Sequence, residues 1–94
     1  MNREKPKHGE IWRHFKGELY FIFMLGHHSE TKEEMVVYQA LSTDNKMALN
    51  EGARILSVAI KNPCIRPLDM FMSEVDHVKY PDVKQKYRFE KAQK

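Results

Sequence analysis

Leu19-Tyr20-Phe21-Ile22-Phe23-Met24-Leu25 is the stretch on which the fold turns. An unbroken apolar run rich in aromatic and β-branched residues predicts a strand buried on both faces, and Gly26 is expected to end it. Upstream, Ile11, Arg13 and Phe15 alternate with Trp12 and His14 in a period-two pattern, and Lys16-Gly17-Glu18 supplies a turn into Leu19, so the two segments read as a hairpin. Downstream, a loop over residues 27–34 returns into Met35-Val36-Val37-Tyr38-Gln39-Ala40-Leu41, which predicts a second strand antiparallel to the first. Three strands in close succession with no helix between them predict a meander and not a parallel βαβ unit.

Residues 42–62 are harder to read. Asp44-Asn45-Lys46 predicts a turn. Beyond it Met47, Leu49, Leu56, Val58 and Ile60 suit a strand pair, while Ala53, Leu56 and Ile60 also fit helical spacing; a strand over residues 55–60 is the expectation. Asn62-Pro63 breaks that element, and Ile65 opens a short strand in which Pro67 forces Arg66 to be extended. Leu68-Asp69-Met70-Phe71 predicts a single helical turn with Met70 and Phe71 in the core. Tyr80-Pro81-Asp82 reads as a surface connector to Tyr87-Arg88-Phe89, whose apolar residues close the sheet. Five or six short antiparallel strands left flat would expose a long edge, so an all-β fold closed into a small antiparallel barrel is expected. Residues 1–8 have no apolar side chain after Met1 and predict a flexible basic tail outside the core. Residues 9–89 form a single domain, and residues 90–94 are expected to fray.

The 94 residues allow one small core, and a charged fraction of 31% beside 41% hydrophobic residues is that of a soluble globular protein. A lone cysteine, Cys64, excludes an internal disulfide framework and a cysteine-only zinc site, predicts a reducing cytoplasm, and reads as a small buried hydrophobe. No run approaches the roughly 18 apolar residues of a membrane span, and the basic N-terminal residues are not followed by an apolar signal core, so neither secretion nor membrane insertion is expected. The net charge of +3 is unevenly spread: residues 1–16 carry five Lys/Arg against two acids, residues 17–75 five against eight, and residues 76–94 six against three. Basic ends attract phosphate backbones, but on this scale they also suit plain solvated termini.

Three segments carry a family resemblance. They are the loop His28-Ser29-Glu30-Thr31-Lys32-Glu33 with Val37-Tyr38 after it, the element Arg66-Pro67-Leu68-Asp69-Met70-Phe71, and Trp12-Arg13-His14-Phe15-Lys16-Gly17. In order and spacing they resemble the bacterial domain of unknown function 1653, over most of residues 9–75 and again at Tyr80-Pro81-Asp82-Val83 and Arg88-Phe89. The resemblance implies a small barrel of the Src-homology-three (SH3-like) type and no established activity. The chain departs from the family between Ser42 and Cys64, where the connection is longer and Ser42 replaces an aromatic residue.

His27, His28, Glu30, Glu33 and Glu34 have ligand-type side chains, but His-x-Glu on a loop lacks the helical register that puts two imidazoles on one face. A solvated hairpin loop in which Ser29 or Thr31 bonds the backbone is the plainer reading, and no metal or cofactor is expected. Arg66 on its proline-locked backbone offers a bidentate fork to a carboxylate or phosphate, unless it pairs with Glu30 or Glu74. Trp12, Phe15, Tyr20 and Tyr38 suit either a stacking platform or the core. The expected binding set is therefore His14, Lys16, His28, Ser29, Glu30, Thr31, Glu33, Tyr38 and Arg66, recognising a polar ligand, a nucleic-acid segment or a peptide, with His14, His28, Glu30 and Arg66 expected to share one partly exposed concavity. Two alternatives stand beside it. One is a nucleotide-directed hydrolase or transferase with His28 or Glu30 as base and Arg66 as clamp; the other is an adaptor that docks protein through the apolar strand at Leu19. No nucleophile elbow or phosphate-cradling glycine loop is present, which favours binding over catalysis.

Overall fold

The structure, a computed structural model, describes residues 3–92. Its strands are β1 (Ile11–His14), β2 (Leu19–His27), β3 (Glu34–Ala40), β4 (Cys64–Pro67) and β5 (Phe89–Lys91), with helices α1 (Thr43–Asn50) and α2 (Leu68–Phe71). All five strands join one antiparallel sheet in the order β4-β3-β2-β1-β5, so the meander and the mostly-sheet class hold, and the expected helical turn is α2. Gly17, at φ 103°, makes the reversal between β1 and β2 and donates its N–H to the His14 carbonyl at 2.7 Å. That left-handed backbone is open to glycine and strained for other residues.

β2 is buried on both faces, as its composition predicts. Tyr20 and Ile22 face a cluster made with Trp12, Val36, Tyr38, Leu68, Phe71, Met72 and Phe89, whereas Leu19, Phe21 and Phe23 face a second one made with Ile11, Leu41 and Ile55. The strand runs through Gly26 instead of ending there, and the register against β3 slips between Ile22 and Met24. This bulge reverses the alternation, so that Leu25 falls on the same face as Ile22.

Barrel closure by hydrogen bonds is not observed: β4 and β5 are the two ends of an open ladder. Coiling and aromatic packing bring those ends together instead. The Phe89 ring of β5 lies 5.7 Å from Tyr20 and 5.5 Å from Tyr38, stacks on Phe71 of α2 at 4.0 Å, and has the Arg66 guanidinium of β4 5.7 Å above it. Such contacts hold a twisted sheet around a core without completing its ladder.

Several other sequence expectations are corrected. The turn at residues 44–46 is the start of α1. Ser42 caps it, its Oγ accepting from the Asn45 N–H at 3.3 Å, and the Gly52 and Ala53 amides return to the Leu49 and Ala48 carbonyls in a Schellman ending. Residues 55–60 are not a strand; they run irregularly across the second face, where Ile55 and Val58 meet the β2 side chains. Met70 and Cys64 are exposed: α2 turns Leu68 and Phe71, three residues apart, to the core and leaves Met70 outside, and the edge strand β4 begins with the exposed pair Cys64 and Ile65. The ends are not outside the fold: Pro6 is buried, and the Arg3 guanidinium donates to the Met72 and Phe89 carbonyls at 2.8 and 2.7 Å and lies 3.7 Å over Tyr87. Likewise Glu90 and Lys91, expected to fray, pair with β1. The parts of those terminal expectations that fall on residues 1, 2, 93 and 94 lie outside the described residues. No described helix is long and apolar enough to cross a membrane.

Candidate functional site

A concavity of about 320 Å³ opens between the β1–β2 turn, β4 and the segment leading into β5, lined by His14, Phe15, Lys16, Arg66, Asp76, Lys79, Tyr80 and Arg88. Local chemistry places each contributor. His14 ends β1 opposite Phe89, and Phe15 donates its N–H to the Arg88 carbonyl at 2.9 Å, which holds the start of the β1–β2 turn against the chain entering β5. Arg66 is kept in the sheet by pairing with Val36, and its Nε donates to the Tyr38 hydroxyl at 3.0 Å. Asp76 caps its own turn: Oδ1 accepts from the Val78 and Lys79 amides at 3.0 and 3.2 Å, and the Tyr80 N–H returns to the Asp76 carbonyl at 2.9 Å.

Four cations and one carboxylate therefore face this space. None of Lys16, Arg66, Lys79 and Arg88 takes part in an ion pair among the described residues, and the pairing of Arg66 with Glu30 or Glu74 expected from sequence does not form. His14 registers the charge. Burial, then the charges of Arg66, Lys16 and Arg88, push its imidazole below its ordinary range. Its Nδ1 accepts the Lys16 N–H at 3.1 Å, which leaves the proton of the neutral ring on Nε2. Burial raises the Tyr38 phenol more than the Arg66 charge and hydrogen bond lower it, so Tyr38 stays neutral and accepts from Arg66. Every polar group identified here is thus a cation, an N–H donor or a neutral support, apart from the turn-capping carboxylate.

The structure brings together His14, Lys16 and Arg66, with Tyr38 behind Arg66, and leaves the rest of the expected set elsewhere. His28, Ser29, Glu30, Thr31 and Glu33 form the exposed β2–β3 hairpin tip and do not line the concavity. The β1–β2 turn and this tip sit at opposite ends of β2, a strand of 9 residues, about 26 Å apart at the usual rise. The tip holds its own turn. The His28 Nδ1 accepts from the Glu30 and Thr31 amides at 3.1 and 3.3 Å, Thr31 Oγ1 accepts from Glu33 N–H at 3.2 Å, and Lys32 Nζ donates to the Ser29 carbonyl. A base at His28 or Glu30 working with a clamp at Arg66 is therefore not assembled. Among the described residues no group of three His, Cys, Asp or Glu stands close enough to hold a metal ion.

Sequence reasoning missed Lys79, Tyr80 and Arg88. The one available signal was the basic excess after residue 76 combined with a tyrosine beside a proline. A larger concavity, about 560 Å³, is lined by His8, Gly9, Glu10, Arg54, Ile55, Leu56 and Lys91. Two of its charged groups pair, Lys91 with Glu10 at 3.1 Å, and His8 Nδ1 donates to the Phe23 carbonyl at 2.7 Å. Glu10 also accepts from Trp12 Nε1, so that these contacts outweigh the upward push of burial and keep it ionised.

The family model described as "Protein of unknown function (DUF1653)" matches residues 10–91. Neither the curated proteins nor the solved structures provide a match.

Proposed function

We propose that this chain, which belongs to the DUF1653 family, is a small cytoplasmic binding module that takes an anionic, phosphate-bearing ligand in the His14 concavity. One observation carries the reading: Lys16, Arg66, Lys79 and Arg88 converge on one space with a single, turn-capping carboxylate between them. Like charges held together repel, and an anion entering the space relieves that repulsion while accepting charge-assisted hydrogen bonds. The neutral His14 adds an Nε2–H donor, and the Tyr38 hydroxyl fixes the guanidinium plane of Arg66. Arginine suits a tetrahedral oxyanion because its fork gives two parallel N–H donors. The cytoplasmic assignment rests on the use of one exposed, unpaired cysteine.

Calorimetric titration with inorganic phosphate and pyrophosphate tests the site. Wild type should bind pyrophosphate more tightly than phosphate, and Arg66→Gln or Arg88→Gln should each weaken binding by about tenfold or more, the loss of one charged hydrogen bond being about 1.5–3 kcal/mol. Equal affinity in wild type and both variants contradicts the reading.

A further inference from the structure

The concavity has an aromatic wall that the core does not use. Phe15 and Tyr80 belong to neither buried cluster, yet their rings pack at 5.0 Å with a tilt of 57°, and both are only half-buried. The ammonium groups of Lys16 and Lys79 stand 5.6 and 5.5 Å from the Tyr80 ring centroid, so the charge and the ring share one surface. Tyr80 is also held in place. Its N–H is bound by the Asp76 carbonyl, and its own carbonyl accepts from Val83. A simple oxyanion uses the cations but not this wall. A half-exposed aromatic pair on a fixed turn beside clustered cations matches a ligand carrying both a phosphate and a flat ring, since bases stack on aromatic faces whatever their sequence. The volume of about 320 Å³ lies at the small end of ligand cavities, which suits a single such unit.

Resting on the anion-site reading, we infer that the ligand is a nucleoside monophosphate unit, its phosphate among Lys16, Arg66 and Arg88 and its base against Tyr80. The unit is either a free nucleotide or one residue of a single strand; the chemistry recognised is the same.

The test compares four probes by fluorescence or calorimetric titration: inorganic phosphate, adenosine, adenosine monophosphate, and a short single-stranded oligoadenylate. The monophosphate should bind at least about tenfold more tightly than inorganic phosphate, the increment expected of one stacked base. Tyr80→Ala should remove that increment, weakening the monophosphate by about tenfold or more beyond any change for inorganic phosphate, whereas Tyr80→Phe should keep it, which separates loss of the ring from loss of fold. Tighter binding of the oligonucleotide with a steeper salt dependence identifies a single strand as the source, and equal binding identifies the free nucleotide; both outcomes bear out the unit. If the monophosphate binds no better than inorganic phosphate, or Tyr80→Ala weakens both alike, this inference falls while the anion site stands. If inorganic phosphate also fails to bind, the anion site falls with it.

Discussion

His14 is where the electrostatics of the concavity can be read most directly. Its ordinary value is 6.5, and burial together with Arg66, Lys16 and Arg88 lowers it in the folded chain. Between the lowered folded value and 6.5 the unfolded chain binds more protons than the folded one. The contribution of neutral His14 to stability is therefore complete above the unfolded value and is lost as pH falls through the folded value. An NMR titration of the His14 ring should show the depressed midpoint, and saturating phosphate should move it upward, because an anion offsets the three cations while the Phe15, Tyr20 and Phe89 rings around the imidazole carry no charge. A midpoint unmoved by phosphate would show that no anion enters beside it. His28 differs from His14 in kind. Both rings accept backbone amides through Nδ1, but His28 does so on a solvated tip, where its chemistry ends in capping a turn.

At the scale of elements, the irregular run after α1 depends on one side chain. Gln39, buried on β3, donates through Nε2 to the Ala59 carbonyl at 3.1 Å and accepts through Oε1 from the Lys61 and Asn62 amides at 2.9 and 3.0 Å. It supplies the hydrogen bonds that a neighbouring strand would have given, so the segment covers the Phe21 and Phe23 face without becoming a strand. Gln39→Leu should cost about 1–3 kcal/mol by leaving those backbone groups unpaired, and hydrogen exchange should quicken at Lys61 and Asn62; unchanged exchange there would show that the segment is held by its apolar contacts alone. This arrangement explains where sequence reading stopped. The alternation of β1, the apolar run of β2 and the Arg66-Pro67 element are local patterns, and each settles its own element. The path of residues 53–62 is set by a glutamine more than a dozen residues away, and apolar spacing there reports only that something is covered. Helix α1, expected only as a turn, is closed by a Ser42 cap and a left-handed stop at Gly52, and the apolar residues between them are too few to mark a buried face.

Across the whole molecule the sheet turns a linear order into a site. Strand order β4-β3-β2-β1-β5 leaves Arg66 and Arg88 at opposite ends of the ladder, and the coiling around Phe89 and Phe71 returns both to the same concavity. His14, Lys16 and Arg66 were legible because each stands in a distinctive local motif. Lys79, Tyr80 and Arg88 were not, since their meeting with His14 depends on tertiary closure and not on neighbouring residues. The loop at residues 28–33 does not join that concavity: its ligand-type side chains, adjacent in sequence, stand on a hairpin tip where His28 and Thr31 accept the tip's own backbone amides. The most direct test of the account is a two-dimensional NMR titration of the labelled chain with inorganic phosphate at constant ionic strength. The predicted shifts fall on Lys16, Tyr80, Arg88 and the Arg66 side chain, together with the His14 ring, and leave residues 28–33 unmoved. Shifts centred on the residue 28–33 loop, or spread over all surface lysines and removed by modest salt, would contradict a site in the His14 concavity.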